Sequence, residues 1–301
     1  MTSKKPFIVA CIPAYREEDY IAKVIVKTMK HVDKVIVCDD GSTDMTAEIA
    51  VGLGAEVIKH DRNMGYGASL RSLFGKAREL GADVMVTLDA DGQHDPDAVP
   101  LLVQPILDGE ADVVVGSRFL DKKAEAGIPG YRRNGIKLIT DVAKAASYSN
   151  ITDAQSGYRA YNRKAISLID PVEQGMGAST EILLKAKEQN LSLSEVPVVI
   201  KYDKDSSTHN PFVHGLDVVL STVKYLSMRR PLLSFGVPGF AALLVSGVFW
   251  AWTLQSFAAT GAIITNVTLI AIAATIIGLM LLTTALLLWV LVSLIREGNN
   301  H

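Results

Sequence analysis

Residues 83–94 read Asp83-Val-Met-Val-Thr-Leu-Asp-Ala-Asp-Gly-Gln-His94. An unbroken apolar run of this length, without polar alternation, is a strand covered on both faces. Two acids follow immediately at its carboxyl end. The pattern recurs on either side. Phe7 to Ile12 runs into Pro13-Ala-Tyr-Arg-Glu-Glu18, Lys34 to Cys38 into Asp39-Asp-Gly-Ser-Thr-Asp44, and Asp112 to Val115 into Gly116-Ser-Arg118. Glu56 to Lys59 is a further short strand. Between these runs the spacing predicts helices over 17–30, 44–53, 67–80 and 97–107. The first has Ile21, Val24, Ile25 and Thr28 on one face, the second is capped by Ser42 or Thr43, and Gly54 and Gly81 act as stops. Strands alternating with helices imply an α/β fold, a doubly wound and mostly parallel sheet with covering helices. Such sheets bind ligands beyond the carboxyl ends of their strands. Four strand ends carrying Asp, Glu, Arg and Gly therefore describe one site.

The second half is less regular. Helices are expected over 130–146 and 179–189, and strands over 156–161 and 193–202, the latter interrupted by Pro197. The stretch 215–230 is amphipathic, with Leu216, Val219, Leu220, Val223 and Leu226 at helical spacing, and reads as a juxtamembrane helix. From Pro231 to Ile295 there is no Asp, Glu, Lys, Arg or His. The two apolar spans there, about 232–256 and 263–295, each exceed the roughly 20 residues that cross a bilayer, which implies a C-terminal two-helix transmembrane hairpin. Arg229 and Arg230 precede the first span and Arg296 follows the second, while the loop between them carries no Lys or Arg. The positive-inside rule places both termini and the catalytic domain in the cytoplasm. The apolar stretch at residues 7–12 is too short for a signal-peptide core and ends at Pro13, which agrees with that placement. The expected organisation is a domain over 1–214, the juxtamembrane helix over 215–230 and the hairpin over 231–301.

The 49 % apolar content and net charge of −2 average a charged domain with an uncharged one. No basic tail or patch points to nucleic acid. Cys11 and Cys38 fall in buried strands and read as structural thiols.

Asp89 and Asp91, one residue apart past a strand end, can reach one cation, with Gln93 adding a neutral oxygen. Mg²⁺ and Mn²⁺ take such oxygen ligands and keep positions for substrate phosphates, which suits a nucleotide diphosphate as leaving group. Asp39 and Asp40 serve a turn, and also offer carboxylates to a base N–H or a ribose hydroxyl. There is no Gly-x-Gly-x-x-Gly after the first strand and no Walker-type Gly-Lys-Ser/Thr, so dinucleotide binding and P-loop hydrolysis lose support. Guanidinium forks match phosphate oxygens, which makes Arg118, Arg132 and Arg133 candidates to receive a phosphorylated acceptor. His209 and His214, five apart in a loop, read as loop polarity.

Taken in order, Pro13-Ala-Tyr-Arg-Glu-Glu18, Asp39-Asp-Gly-Ser-Thr-Asp44, Asp89-Ala-Asp-Gly-Gln-His94, Gly116-Ser-Arg118 and Ser156-Gly-Tyr-Arg159 resemble the motifs of family 2 inverting glycosyltransferases with the GT-A fold. The branch they resemble is that of the dolichyl- or polyprenyl-phosphate sugar synthases, over about Phe7 to Tyr202. The resemblance implies transfer of one sugar from a nucleotide diphosphate sugar to a polyprenyl or dolichyl phosphate at the bilayer surface, with Mg²⁺ or Mn²⁺ as cofactor. It also implies roles. Pro13, Ala14, Tyr15, Glu17 and Asp40 would contact the nucleoside with Asp39 beside them, and Asp89, Asp91 and Gln93 would hold metal and diphosphate. Asp153, Gln155, Ser156 and Arg159 would face sugar or acceptor, Glu181 would be an acceptor-side acid, and Lys204 would lie in a loop closing over the donor.

No Gln-x-x-Arg-Trp motif of the processive synthases occurs, which favours single transfer. The segment from Tyr202 to Gly215 departs from the Arg- and Gly-Ser-Lys-rich loop of many mannosyl members, and tilts the donor toward a UDP-sugar over GDP-mannose. Competing readings are transfer to another lipid or glycan acceptor, a nucleotidyltransferase, which would bring a Gly-rich phosphate loop and a Lys absent here, and a non-catalytic membrane scaffold, which would tolerate loss of Asp89 or Asp91. Small residues at Ala271, Ala273, Ala274 and Gly278 permit close helix packing, including between copies of the chain.

Overall fold

A computed structural model describes residues 5–121, 133, 136, 137, 140, 151–200 and 231–298. The chain divides into two compact units, Met1–Thr222 and Val223–His301.

The first unit is built on a sheet of seven strands: β1 (Ile8–Ala14), β2 (Lys34–Asp39), β3 (Glu56–Lys59), β4 (Val84–Thr87), β5 (Val113–Ser117), β6 (Arg159–Asn162) and β7 (Leu193–Pro197). Their order is β3-β2-β1-β4-β6-β5-β7. The chain leaves β1 toward β2 and β3, then returns to place β4 on the other side of β1, so the polar loops after β1, β2 and β4 open at one switch point. The first four strands are parallel, and the expectation of a mostly parallel sheet meets one exception: β6 runs antiparallel to both β4 and β5. Its strand starts at Arg159, so residues 156–158 form the loop that leads into it.

Helices α1 (Ile21–Thr28), α2 (Thr46–Gly52) and α4 (Val99–Leu107) cover one face, and α3 (Tyr66–Glu79), α5 (Arg163–Leu168) and α6 (Ala178–Glu188) the other. The pleat sorts the strand residues between them. Ala10, Ile12, Val35 and Val37 pack with Ile21, Ile25 and Leu102, whereas Val9, Cys11, Ile36 and Met85 pack with Leu73, Phe74 and Tyr161. Cys11 and Cys38 are buried free thiols. The six-residue α5 was not legible in the sequence because it is too short to show a period. It is set by Asn162, whose side chain accepts from the Ala165 N–H as an N-cap.

The second unit pairs α7 (Val237–Thr260) with α8 (Thr265–Gly298). Gly239, Ser246 and Thr253, seven residues apart, are buried on α7, and Val267, Ala271, Gly278 and Ala285 on α8. Small residues at heptad spacing let the backbones approach. A Cβ on Gly278 would stand 2.7 Å from Leu243. Ser246 Oγ lies 2.6 Å from Thr275 Oγ1, which also accepts from Trp250 Nε1. A wide turn at Leu232–Gly236 precedes α7. Pro238 has no N–H to bond the Ser234 carbonyl, which accounts for the widening. Leu232–Thr260 and Thr265–Leu291 are long and apolar enough to cross a bilayer, and only 11 % and 17 % of their most apolar stretches are buried. A core hairpin of a soluble protein would bury most of that surface; this one presents it outward, as hydrocarbon requires.

Candidate active site

The loops after β1 and β2 are knitted together. Ala14 and Asp39 are partners in the parallel register, so both strands end at one level. Beyond them the Arg16 N–H donates to Ser42 Oγ (2.9 Å), the Glu17 N–H to Thr46 Oγ1 (2.8 Å), the Glu18 N–H to Asp44 Oδ2 (3.4 Å) and the Met45 N–H to Glu18 Oε2 (3.0 Å). The expected cap of α2 is thereby corrected. Ser42 is engaged with the first loop, and Asp44 accepts from the Thr46 N–H and hydroxyl at the helix start instead. Arg16 adopts φ 57°, a left-handed conformation that a side chain rarely takes, and its guanidinium lies 5.3 Å from the Tyr15 ring centre. Pro13 and Ala14 are buried beneath this turn.

The two adjacent acids separate by role. Both oxygens of Asp40 are engaged: Oδ1 with His60 Nδ1 (2.7 Å) and the Met64 N–H (2.9 Å), Oδ2 with the Gly65 N–H (2.8 Å). Asp40 therefore braces the loop after β3. Asp39 is fully buried, its Oδ1 accepts from the Ser42 N–H, and its Oδ2 has no hydrogen-bond partner among the described residues. A buried carboxylate oxygen left unpaired is costly. Of the pair, Asp39 is the one that keeps a carboxylate oxygen without a partner among the described residues. His60 sits behind them, its Nε2 2.9 Å from Ser72 Oγ. Gly41 (φ 73°) makes this assembly compact, since a Cβ there would stand 2.5 Å from the Arg62 backbone.

The acids after β4 face the same opening. Asp91 Oδ1 accepts from the Gln93 N–H (2.9 Å), and the Asp89 N–H donates to His94 Nδ1 (3.1 Å). His94 is buried against Tyr158, and burial pushes its pKa down, so it stays neutral. Its role could not be read from local pattern; it fixes the loop that presents Asp89 and Asp91. Burial raises the pKa of Asp89, opposed by the positive charges of Arg118 and Arg159 and by the Tyr66 hydroxyl. Glu17 is pushed up to about 7, first by burial and then by the negative charges of Asp91, Asp89, Asp44 and Asp19. That repulsion places Glu17 and the β4 acids in one electrostatic field.

The residues fit a divalent cation. No cluster of three or more His, Cys, Asp or Glu able to hold a metal occurs among the described residues, so Asp89 and Asp91 would act as a pair of hard oxygen donors completed by water and substrate phosphates. The space is kept open by Gly157, whose added Cβ would stand 3.0 and 3.2 Å from the two Asp89 carboxylate oxygens.

Other candidates have different employment. Arg118, expected to receive a phosphate, is paired through Nε and Nη2 with buried Asp153 at 2.6 and 2.7 Å, and its backbone N–H also donates to Asp153. Buried Arg159 donates to the carbonyls of Ser179 and Ala154. Ser156 Oγ accepts from the Tyr158 N–H, a turn contact, and Gln155 is half-buried. Glu181, read as an acceptor-side acid, is buried against the Val172 and Glu173 N–H groups and pairs with Lys185. The partner of Arg118 lies 35 residues away, so the sequence showed that charge and not its use. Arg133 is half-buried; Arg132, Lys204, His209, His214 and the 215–230 stretch lie outside the described residues.

Strand-end loops of this kind on a mixed sheet of this order match a known domain. Residues 9–169 match the domain described as Glycosyl transferase family 2. The chain belongs to this family. As a family 2 member it is a glycosyltransferase. It is 34 % identical over 215 residues to a UDP-N-acetylglucosamine–dolichyl-phosphate N-acetylglucosaminyltransferase of Methanococcus voltae, covering 65 % of this chain and 86 % of that one. It is 32 % identical to a dolichyl-phosphate hexose transferase of Haloferax volcanii, covering 72 % of this chain and 92 % of that one. A dolichol-phosphate mannosyltransferase of Pyrococcus furiosus is 26 % identical, with 79 % of this chain and 70 % of that one covered. Among solved structures, glucosyl-3-phosphoglycerate synthase of Mycobacterium tuberculosis, in complex with Mn²⁺, UDP and phosphoglyceric acid, superposes with a TM-score of 0.60 at 22 % identity, over 74 % of this chain and 79 % of that one. That likeness establishes the GT-A fold.

Proposed function

We propose that this family 2 glycosyltransferase moves a single sugar from a nucleotide diphosphate sugar, a UDP-sugar in preference to GDP-mannose, to a polyprenyl or dolichyl phosphate, with inversion at the anomeric carbon. The catalytic unit, residues 1–214, works at the cytoplasmic face, and the hairpin over 231–301 anchors it with both termini cytoplasmic. The observation that carries the reading is the pair of metal-competent acids after β4, beside loops in which buried Asp39 keeps an unpartnered Oδ2, on a chain with a hairpin apolar enough to reach a lipid acceptor. The relatives' names, each a dolichyl- or dolichol-phosphate sugar transferase, support the acceptor class.

Asp39 also favours the donor base. Its Oδ1 accepts from the Ser42 N–H and its Oδ2 is unpartnered among the described residues, an acceptor suited to the imide N–H of uracil. Tyr15 and Glu17 lie on the adjoining loop, with the Arg16 guanidinium against the Tyr15 ring. Asp89, Asp91 and the Gln93 loop would hold Mg²⁺ or Mn²⁺, which when bound neutralises the charge that builds on the leaving diphosphate. A phosphate monoester, with a second pKa of roughly 6, is already a nucleophilic anion near neutrality. The protein's task is then positioning and electrostatic complementarity rather than strong base catalysis. Arg132, Arg133 and Lys204 are proposed to meet the lipid phosphate beside Arg118, which Asp153 holds in place. A non-catalytic scaffold is disfavoured because Asp89 and Asp91 are both retained.

The test is direct. Purified full-length protein is incubated with polyprenyl phosphate, Mg²⁺ or Mn²⁺, and a panel of UDP- and GDP-sugars, and lipid products are extracted and weighed by mass spectrometry. A glycosylated lipid phosphate is expected from a UDP-sugar; no such product from any donor refutes the proposal. Asp91→Ala is expected to abolish turnover while the protein still folds and inserts, and wild-type activity in that variant removes Asp91 from the cation site.

A further inference from the structure

We propose that the Tyr66 hydroxyl and the bare face of Gly157 together seat the Asp89 carboxylate, making Tyr66 a positioning residue for the divalent cation. The inference rests on the assignment of Asp89 to that cation. Tyr66 is the first residue of α3, and the start of that helix is clamped from two sides. The Gly65 N–H donates to Asp40 and the Gly67 N–H to the Gln174 carbonyl. Added Cβ atoms at Gly65 and Gly67 would stand 2.4 Å and 1.9 Å from the carbonyl oxygens of Gln174 and Glu173. Only glycines admit so close an approach, and the result is a fixed origin for the Tyr66 ring, which packs against the α3-side core.

From that origin the Tyr66 hydroxyl reaches Asp89, donating to Oδ1 at 3.5 Å. The third party arrives through the antiparallel strand. β6 pairs with β4 from Thr87 opposite Arg159, and the Thr87 hydroxyl donates to the Gly157 carbonyl at 2.7 Å. A Cβ on Gly157 would stand 2.8 Å from the Tyr66 hydroxyl oxygen, besides its clashes with both Asp89 oxygens. Three segments distant in sequence thus share one small volume, and the missing side chain is what lets phenol and carboxylate meet. A hydroxyl held there selects one orientation of the carboxylate before any cation arrives. Outer partners of this kind typically govern 10–100-fold in metal affinity.

The experiment measures Mn²⁺ binding to full-length protein with UDP present, by titrating the free-ion electron paramagnetic resonance signal. UDP binding without metal is measured in parallel. Tyr66→Phe keeps the ring in the core and is expected to weaken Mn²⁺ about 10-fold, with metal-free UDP binding unchanged and turnover recovered at high Mn²⁺. Gly157→Ala tests the same seat from the other side and should also weaken Mn²⁺. A purely structural role would instead lower the thermal midpoint and weaken UDP and Mn²⁺ together. Asp89→Asn separates the two levels of the argument. If it loses Mn²⁺ while Tyr66→Phe stays within twofold of wild type, the seat is refuted and the cation assignment stands. If Asp89→Asn binds Mn²⁺ as wild type does, the assignment and the seat fall together.

Discussion

Glu17→Gln gives the sharpest test of the crowded acids at the switch point. Glu17 is half-buried and faces the charges of Asp91, Asp89, Asp44 and Asp19, which with burial raise its pKa from the ordinary 4.5 to about 7. The folded protein thus holds this proton more tightly than the unfolded chain does. Between pH 4.5 and 7 the folded state keeps a proton that the unfolded state has released, so stability falls as pH rises through this window. A shift of this size corresponds to about 3 kcal/mol at full strength, and solvent screening at a partly exposed group reduces it to about 1–2 kcal/mol. Glutamine cannot ionise and escapes the loss. The variant should match wild type near pH 4.5 and exceed it at pH 8 by roughly 3–6 °C in thermal midpoint. The assay is thermal unfolding of full-length protein followed by circular dichroism at both pH values, with and without Mn²⁺ and UDP. Added Mn²⁺ should narrow the gap at pH 8, because a cation among these acids relieves the same repulsion. The variant should also bind the donor more weakly, the stability–function trade expected at a ligand site. A stability difference independent of pH would refute the reasoning.

Two further variants probe the scaffold. Asp153→Ala strips the partner from Arg118, whose side chain is only 12 % exposed, and should cost about 3–5 kcal/mol in chemical denaturation. Replacing both members by apolar residues should recover much of that loss, and a double variant no more stable than the single one would contradict it. Gly41→Ala forces a side chain into φ 73° and against the Arg62 backbone, so a loss of about 2 kcal/mol or more in the same assay is expected, together with weaker UDP binding as the Asp39 turn shifts.

Much of the catalytic unit could be read from local patterns. Buried parallel strands are near-continuous apolar runs, and the acids that follow them fall at one edge whatever the details of packing. For that reason 83–94, 34–44 and 7–18 announced both the sheet and the site, and the uncharged block from Pro231 to Ile295 announced the hairpin by length alone. Tertiary structure decided what pairs with what. Asp39 and Asp40 are neighbours of one type, yet the position of the loop after β3 determines that both oxygens of Asp40 are engaged while one of Asp39 is unpartnered among the described residues. Arg118 is held by Asp153, 35 residues on, a pairing that local sequence does not announce. The antiparallel β6 brings Gly157 over Asp89, where a parallel strand would have carried it to the other edge of the sheet. Sequence determines which groups a segment can offer, because backbone periodicity is local. Which of them is free to act depends on partners from distant segments, and those are chosen only when the chain packs.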